Sequence, residues 1–253
     1  LNVILYEYPF NEKIRTYLRL EQLFSRLFKL MGRTDEMDHH FALTTLFEIL
    51  NVGARADLKT DVLKDLEKQK QALNAFRDNP AIATDVLDEI LGQLSACFAG
   101  LSGTLGKLGQ VLTENDWLMS VRSRAGIPGG TCAFDLPAYH AWQQQPWEVR
   151  QQNLREWVET LLPLSQSIQV LLNLLRDSGS PQKMVAASGQ FQQNLPQGKT
   201  AQMLRLSVDH NLGIIPEISG NRLLVSIRFM RHEDDNRLHA SNEDSPFEMA
   251  LCS

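Results

Sequence analysis

NRLLVSIRFMR, Asn221 to Arg231, changes character residue by residue, which is the two-residue period of an extended strand. Leu223, Val225, Ile227 and Phe229 fall on one side and are all apolar, so that side is expected to cover a core. Arg222, Leu224, Ser226, Arg228 and Met230 fall on the other. Arginines beside Leu224 and Met230 suit a surface that grips a peptide through apolar side chains and charge together. The same pattern also describes a solvated outer strand face whose arginines discourage edge pairing.

Similar alternation surrounds this stretch. KMVAASGQFQQN, QMLRLSVD and IIPEISG precede it and FEMALCS follows an acidic loop, with turn residues between the segments. All of these lie beyond SGSP at Ser178 to Pro181. An α+β fold is therefore expected, with a mainly helical domain over 11–178 followed by a smaller antiparallel β domain over 181–253. The β-prone start of the chain, 2–8, is expected to join the β domain. Charge is unevenly placed in it. From Pro181 to Arg231 six basic residues stand against Asp209 and Glu217, a local +4, and from His232 to Glu248 the balance reverses to −5.

Before Ser178 the apolar spacing is three and four residues. Asn11 caps a long amphipathic helix through Ile14, Tyr17, Leu18, Leu23, Phe24, Leu27 and Met31, ending at Gly32. Asp35 to Asn51 repeats the pattern. Its adjacent His39 and His40 point about 100° apart on a helix and cannot share one metal, so a surface pair is expected. Asp57 to Asn79 keeps only a narrow seam, with Asn79-Pro80 closing it. Thr84 is expected to cap the next helix, where Gly92, Gly100, Gly103, Gly106 and Gly109 predict a break near 100–106 or close helix contact. Trp117, Leu118 and Val121 are the expected buried side of a short helix that exposes Arg122 and Arg124. Pro163 should kink or split the last helical region.

IPGGTCAFDLP, Ile127 to Pro137, offers Cys132 as a nucleophile, His140 as a base and Asp135 as an orienting group. Such groups normally arrive from separate parts of a fold, and Asp135 reads better as a helix cap before Pro137. No enzymatic activity and no cofactor are expected.

Composition narrows the remaining classes. Of 253 residues 43% are apolar and 22% charged, as in ordinary globular chains. No apolar run nears the roughly 20 residues that span a bilayer, so no membrane insertion is expected. The opening LNVILYEYPF lacks a basic region, so no signal peptide is expected; it also lacks an initiator Met, and a residue or more is expected to precede it. Cys97, Cys132 and Cys252 are widely spaced and form no CxxC pair, which argues against a disulfide framework or thiolate zinc site and for a cytoplasmic protein. A net charge of −5 disfavours general nucleic-acid binding. A single-stranded nucleic-acid module using the basic β face remains an alternative, although it needs exposed rings and only Phe191 and Phe229 lie in the β segments between Pro181 and the acidic loop.

Three separated motifs, EYPFNEKIRTYLRLEQLF, SRAGIPGGTCAFDLPAYHAW, and PEISGN followed by SIRFM and FEMALC, stand in an order that resembles the ZapD family of bacterial cell-division proteins along essentially the full chain. The resemblance implies a cytoplasmic homodimer at the midcell division ring. It would bind the C-terminal tail of the tubulin-like GTPase FtsZ and cross-link protofilaments into bundles, without enzymatic activity. It also implies a basic tail pocket that uses the arginine of IRFM, here Arg228. A second family arginine lies four residues earlier, where this chain has Leu224, and Arg222 on the same face is the expected replacement. Arg122 and Arg124 match basic positions before IPGG. Arg205 and Arg231 join the candidates from charge alone. The tail is expected to set its apolar side chains against Leu224 and Met230. From the reversal of charge alone, the acidic loop Glu233 to Asp244, with Asp234, Asp235, Glu243 and Asp244, is expected to fold back over the basic strand and compete with the tail. The helix 57–79 and the Gly-rich helix after it are the candidate dimer surfaces.

Overall fold

The structure is a computed structural model that describes residues 2–54, 57–77, 83–104, 106–196, 198, 200–221, 223–233 and 237–253. In chain order it runs β1 (Val3–Pro9), α1 (Glu12–Met31), α2 (Glu36–Gly53), α3 (Leu58–Asn74), α4 (Thr84–Gly103), α5 (Gln110–Thr113), α6 (Asp116–Ala125), α7 (Pro137–Gln143), α8 (Trp147–Glu159) and α9 (Leu162–Asp177). The strands β2 (Gln182–Ala186), β3 (Gln190–Asn194), β4 (Met203–Asp209), β5 (Ile214–Gly220), β6 (Leu224–His232), β7 (Leu238–Ala240) and β8 (Ser245–Cys252) follow. The fold is thus α+β, a helical region followed by antiparallel strands. Two compact units divide it, one of Leu1–Tyr17 with Leu172–Ser253 and one of Leu18–Leu171.

In the helical unit, Leu20, Leu27, Leu43, Leu46, Ile49 and Leu94 are fully buried, as the three- and four-residue spacing requires. Among the described residues side-chain caps set three of the α-helix starts, the first with Asn11 accepting from Ile14 N at 2.9 Å. Asp35 accepts from Met37 N at 2.8 Å and Asn115 accepts from Leu118 N at 3.0 Å. Thr84 is the first residue of α4 rather than its cap, which is Ala83. That helix runs through Gly92 and Gly100 and stops at Gly103, and Gly106 follows with φ +68°. A side chain at Gly100 would lie 3.6 Å from Pro163, so the glycine permits close approach to α9. Lys59 Nζ donates to the Thr104 carbonyl at 2.6 Å and satisfies the end of α4. The stretch around Pro163 is split: α8 and α9 meet at 65°. Among the described residues no single helix is long and apolar enough to cross a membrane.

α3 ends at Asn74, earlier than expected, with Phe76 beyond it exposed; Asn79-Pro80 lies outside the described residues. The histidine pair departs further. His39 is fully buried and takes Arg150 as its partner, because α2 buries a wide face that α8 helps to cover. His40 is half-buried, its Nδ1 2.6 Å from the Tyr139 hydroxyl.

In the β unit one sheet has the order β1-β4-β8-β2 and the other β3-β6-β5, with β7 also on β6. Their apolar faces share one core: Leu204, Leu206, Val208, Phe247 and Met249 from the first sheet, Val225, Ile227 and Phe229 from the second. The β2–β3 hairpin turns at Ser188 and Gly189, both with positive φ, as a two-residue type I′ turn demands. Beyond its ladder β1 is tied to the last turn of α9. Glu7 receives Arg176 Nε and Nη2 at 2.8 Å each, the two-pronged contact of a guanidinium on a carboxylate.

Candidate functional site

β6 is the central strand of its sheet, and its two faces separate at Leu224. Val225, Ile227 and Phe229 are buried in the shared core. Leu223 does not extend this face and is 67% exposed. The Asn221 side chain accepts from both Leu223 N and Leu224 N, so a turn holds Leu223 and the alternation begins one residue later.

The opposite face is more polar than expected. Arg228 lies directly across from Gln190 on β3 and Glu217 on β5; Ser226 lies across from Gln192 and Ser219. Gln190, Glu217, Ile218, Ser219, Ser226 and Arg228 line a cleft of about 470 Å³. Arg228 reaches Glu217 Oε2 with Nη2 at 2.7 Å and Nε at 3.2 Å, and both side chains are about half exposed. Leu224 at the end of this face is half-buried.

Met230 corrects the expected apolar contact: it is 8% exposed. Its strand is flanked there by Ile215 of β5 and Ala240 of β7, which close over the position. Arg222 lies outside the described residues, as do Asp234 and Asp235. Arg231 is offset by an odd number of residues from Arg228, so alternation turns it to the opposite side of β6, and it pairs with Glu243 at 3.0 Å. Arg205 belongs to β4 of the other sheet, where its Nε lies 3.3 Å from Glu7 Oε1 without hydrogen-bond geometry. Of the acidic loop, Glu243 meets Arg231, whereas Asp244 accepts from Ser188 N at 2.9 Å and braces the β2–β3 turn.

Arg122 and Arg124 are on α6 in the helical unit. Arg122 Nη2 donates to Asn51 Oδ1 at 2.5 Å, and Arg124 lies 3.7 Å from Asp135. Asp135 is therefore an ion-pair partner and not a helix cap; Leu136 holds the cap position of α7. Around α7, Trp117, Tyr139, Trp142 and Trp157 form one aromatic cluster with ring centroids 5.4 to 6.1 Å apart. The rings that base stacking would need on the β face are occupied elsewhere. Phe191 sits edge-on to Phe247 at 5.2 Å and Phe229 is fully buried.

Glu217, which the strand pattern alone did not single out, is the ion-pair partner of Arg228. The signal was present in the hairpin: Glu217 and Arg228 are equally distant from the turn that joins β5 and β6, so a register centred there sets them opposite.

The arrangement is a half-exposed guanidinium, paired with a carboxylate, in a hydroxyl- and amide-lined cleft on the sheet face. The profile of the ZapD cell division protein family matches residues 18–228. The chain is 49% identical over 252 residues to the cell division protein ZapD of Cupriavidus pinatubonensis, covering 99% of this chain and 100% of that one. It is 49% identical over 251 residues to that of a Janthinobacterium species (strain Marseille) and 48% over 252 residues to that of Cupriavidus taiwanensis, with the same coverage. The chain belongs to the ZapD family of cell division proteins.

Proposed function

We propose that this chain binds the C-terminal tail of FtsZ on the outer face of β6 and, as a homodimer with two such sites, cross-links FtsZ protofilaments into bundles at the midcell division ring. The relatives bear the name of a cell division protein, and the motif arginine of IRFM carries the reading here. Arg228 projects from the outer face of a three-stranded platform, half exposed, beside Gln190, Ser219 and Ser226. A carboxylate of the tail pairs with Arg228, and the amide and hydroxyl groups hydrogen-bond to an extended main chain. Leu224, half-buried at the end of this face, supplies the apolar contact. A C2 dimer duplicates the site, which is what bridging two filaments requires.

The test is fluorescence anisotropy of a labelled FtsZ tail peptide titrated with the protein and with Arg228→Glu. Saturable binding that the variant loses supports both the function and the site. Equal binding by both moves the site toward Arg122 and Arg124. No binding by the parent protein removes the reading.

A further inference from the structure

We infer that Glu217 gates Arg228, as a built-in carboxylate that occupies the arginine until an acidic peptide displaces it; the inference rests on the tail-binding reading above. The contact has the geometry of an exchangeable partner. A well-matched carboxylate gives one oxygen to each of two guanidinium nitrogens, as Glu7 does for Arg176. Glu217 instead reaches Nε and Nη2 with the single oxygen Oε2, at 3.2 and 2.7 Å. An ion pair this exposed is favoured over its separated state by no more than about fivefold.

Charge supports the same conclusion. Among the described residues lining the cleft the charged ones are Arg228 and Glu217, whose charges offset each other, while Gln190, Ser219 and Ser226 are neutral. An approaching carboxylate meets an arginine whose field is cancelled at close range. Register keeps the competitor in place, because Glu217 stands directly opposite Arg228 on the neighbouring strand. Only its side chain can swing away. A lone carboxylate gains little by the exchange, whereas an extended acidic peptide adds contacts to Gln190, Ser219 and Ser226. Glu217 therefore sets the specificity of the site for a peptide over a free acid.

The experiment titrates a labelled FtsZ tail peptide and a labelled hexaglutamate peptide with the full chain, Glu217→Gln, Arg228→Gln and the double variant, with thermal melts as the check of folding. Removing a competitor and a like charge at contact distance should tighten tail binding by Glu217→Gln about three- to tenfold. The gain should vanish in the double variant. Tail binding that Glu217→Gln leaves unchanged or weakens overturns the gate while the tail-binding reading stands. If no protein binds the tail but Glu217→Gln takes up hexaglutamate more tightly than the parent, the gate stands and the reading falls. If Glu217→Gln binds neither peptide more tightly, the gate is wrong.

Discussion

Arg150 Nε lies 3.0 Å from His39 Nδ1 in the interior of the helical unit, and a guanidinium can only donate, so this ring nitrogen must be the acceptor. His39 then carries its proton on Nε2, which donates to the Arg33 carbonyl at 2.8 Å. The same arginine donates to the carbonyls of Gln143 and Thr34 at 2.9 and 2.8 Å, and to that of Gln145. One buried cation thus joins α2, the turn before it and the α7–α8 connection. Arg150→Met leaves those acceptors unsatisfied and should lower unfolding free energy by about 3 kcal/mol, measured by urea titration. A loss below about 0.5 kcal/mol, the range of ordinary surface substitutions, would show that the brace is dispensable.

Acid should act on this brace. Burial, with the charge of Arg150 adding to it, holds His39 below its ordinary value of 6.5, against the opposing pull of the Arg33 carbonyl, Asp38 and Asp35. A depressed base binds fewer protons folded than unfolded, so its contribution is complete above pH 6.5. It is lost as pH falls below 6.5 toward the folded value. His40, also lowered by burial, contributes in the same direction. The urea midpoint should drop between pH 7.5 and 5.5, and His39→Gln should drop less; parallel losses would assign the effect to other groups.

The Glu7 carboxylate meets Arg176 and Arg205, with Glu7 and Arg176 mostly shielded from water. Glu7→Gln should cost about 2 kcal/mol, discounted from the buried-pair range for partial exposure. Arg205→Ala should reduce stability by about 1 kcal/mol and leave tail-peptide affinity unchanged. A large affinity loss in Arg205→Ala would return this residue to the binding surface.

Arg228→Ala should behave in the opposite way. Its partner is half exposed, so stability should change by less than about 0.5 kcal/mol while tail affinity falls at least about tenfold. Paired melting and anisotropy measurements separate the two effects. A large stability loss would mean that the ion pair supports the sheet.

At Gly189, φ is +71° and an added Cβ would collide with the Ser241 carbonyl. The turn is further held by Ser188 N on Asp244 and by Phe229 N on the Gly189 carbonyl at 2.8 Å. Gly189→Ala should therefore destabilise by about 2 to 4 kcal/mol. Gly213→Ala is the control, with positive φ but open space around it, and should cost only about 1 kcal/mol.

Periodicity along the chain was enough to distinguish helix from strand, to separate the faces of β6 from Val225 onward and to locate the split at Pro163, because each depends on neighbours within a turn or two residues. The motifs were enough to indicate the family. Which residues meet across the fold was not legible in that way. His39 is one of two adjacent histidines in sequence, yet Arg150, 111 positions away, takes it into the interior. Met230 shares the strand parity of Arg228, yet the strands on either side close over it. Arg205 and Arg228 look alike as charges, but one serves Glu7 on one sheet and the other faces Glu217 on the second. Strand order and register arise from pairings between distant segments, whose energy lies in contacts that no local window contains.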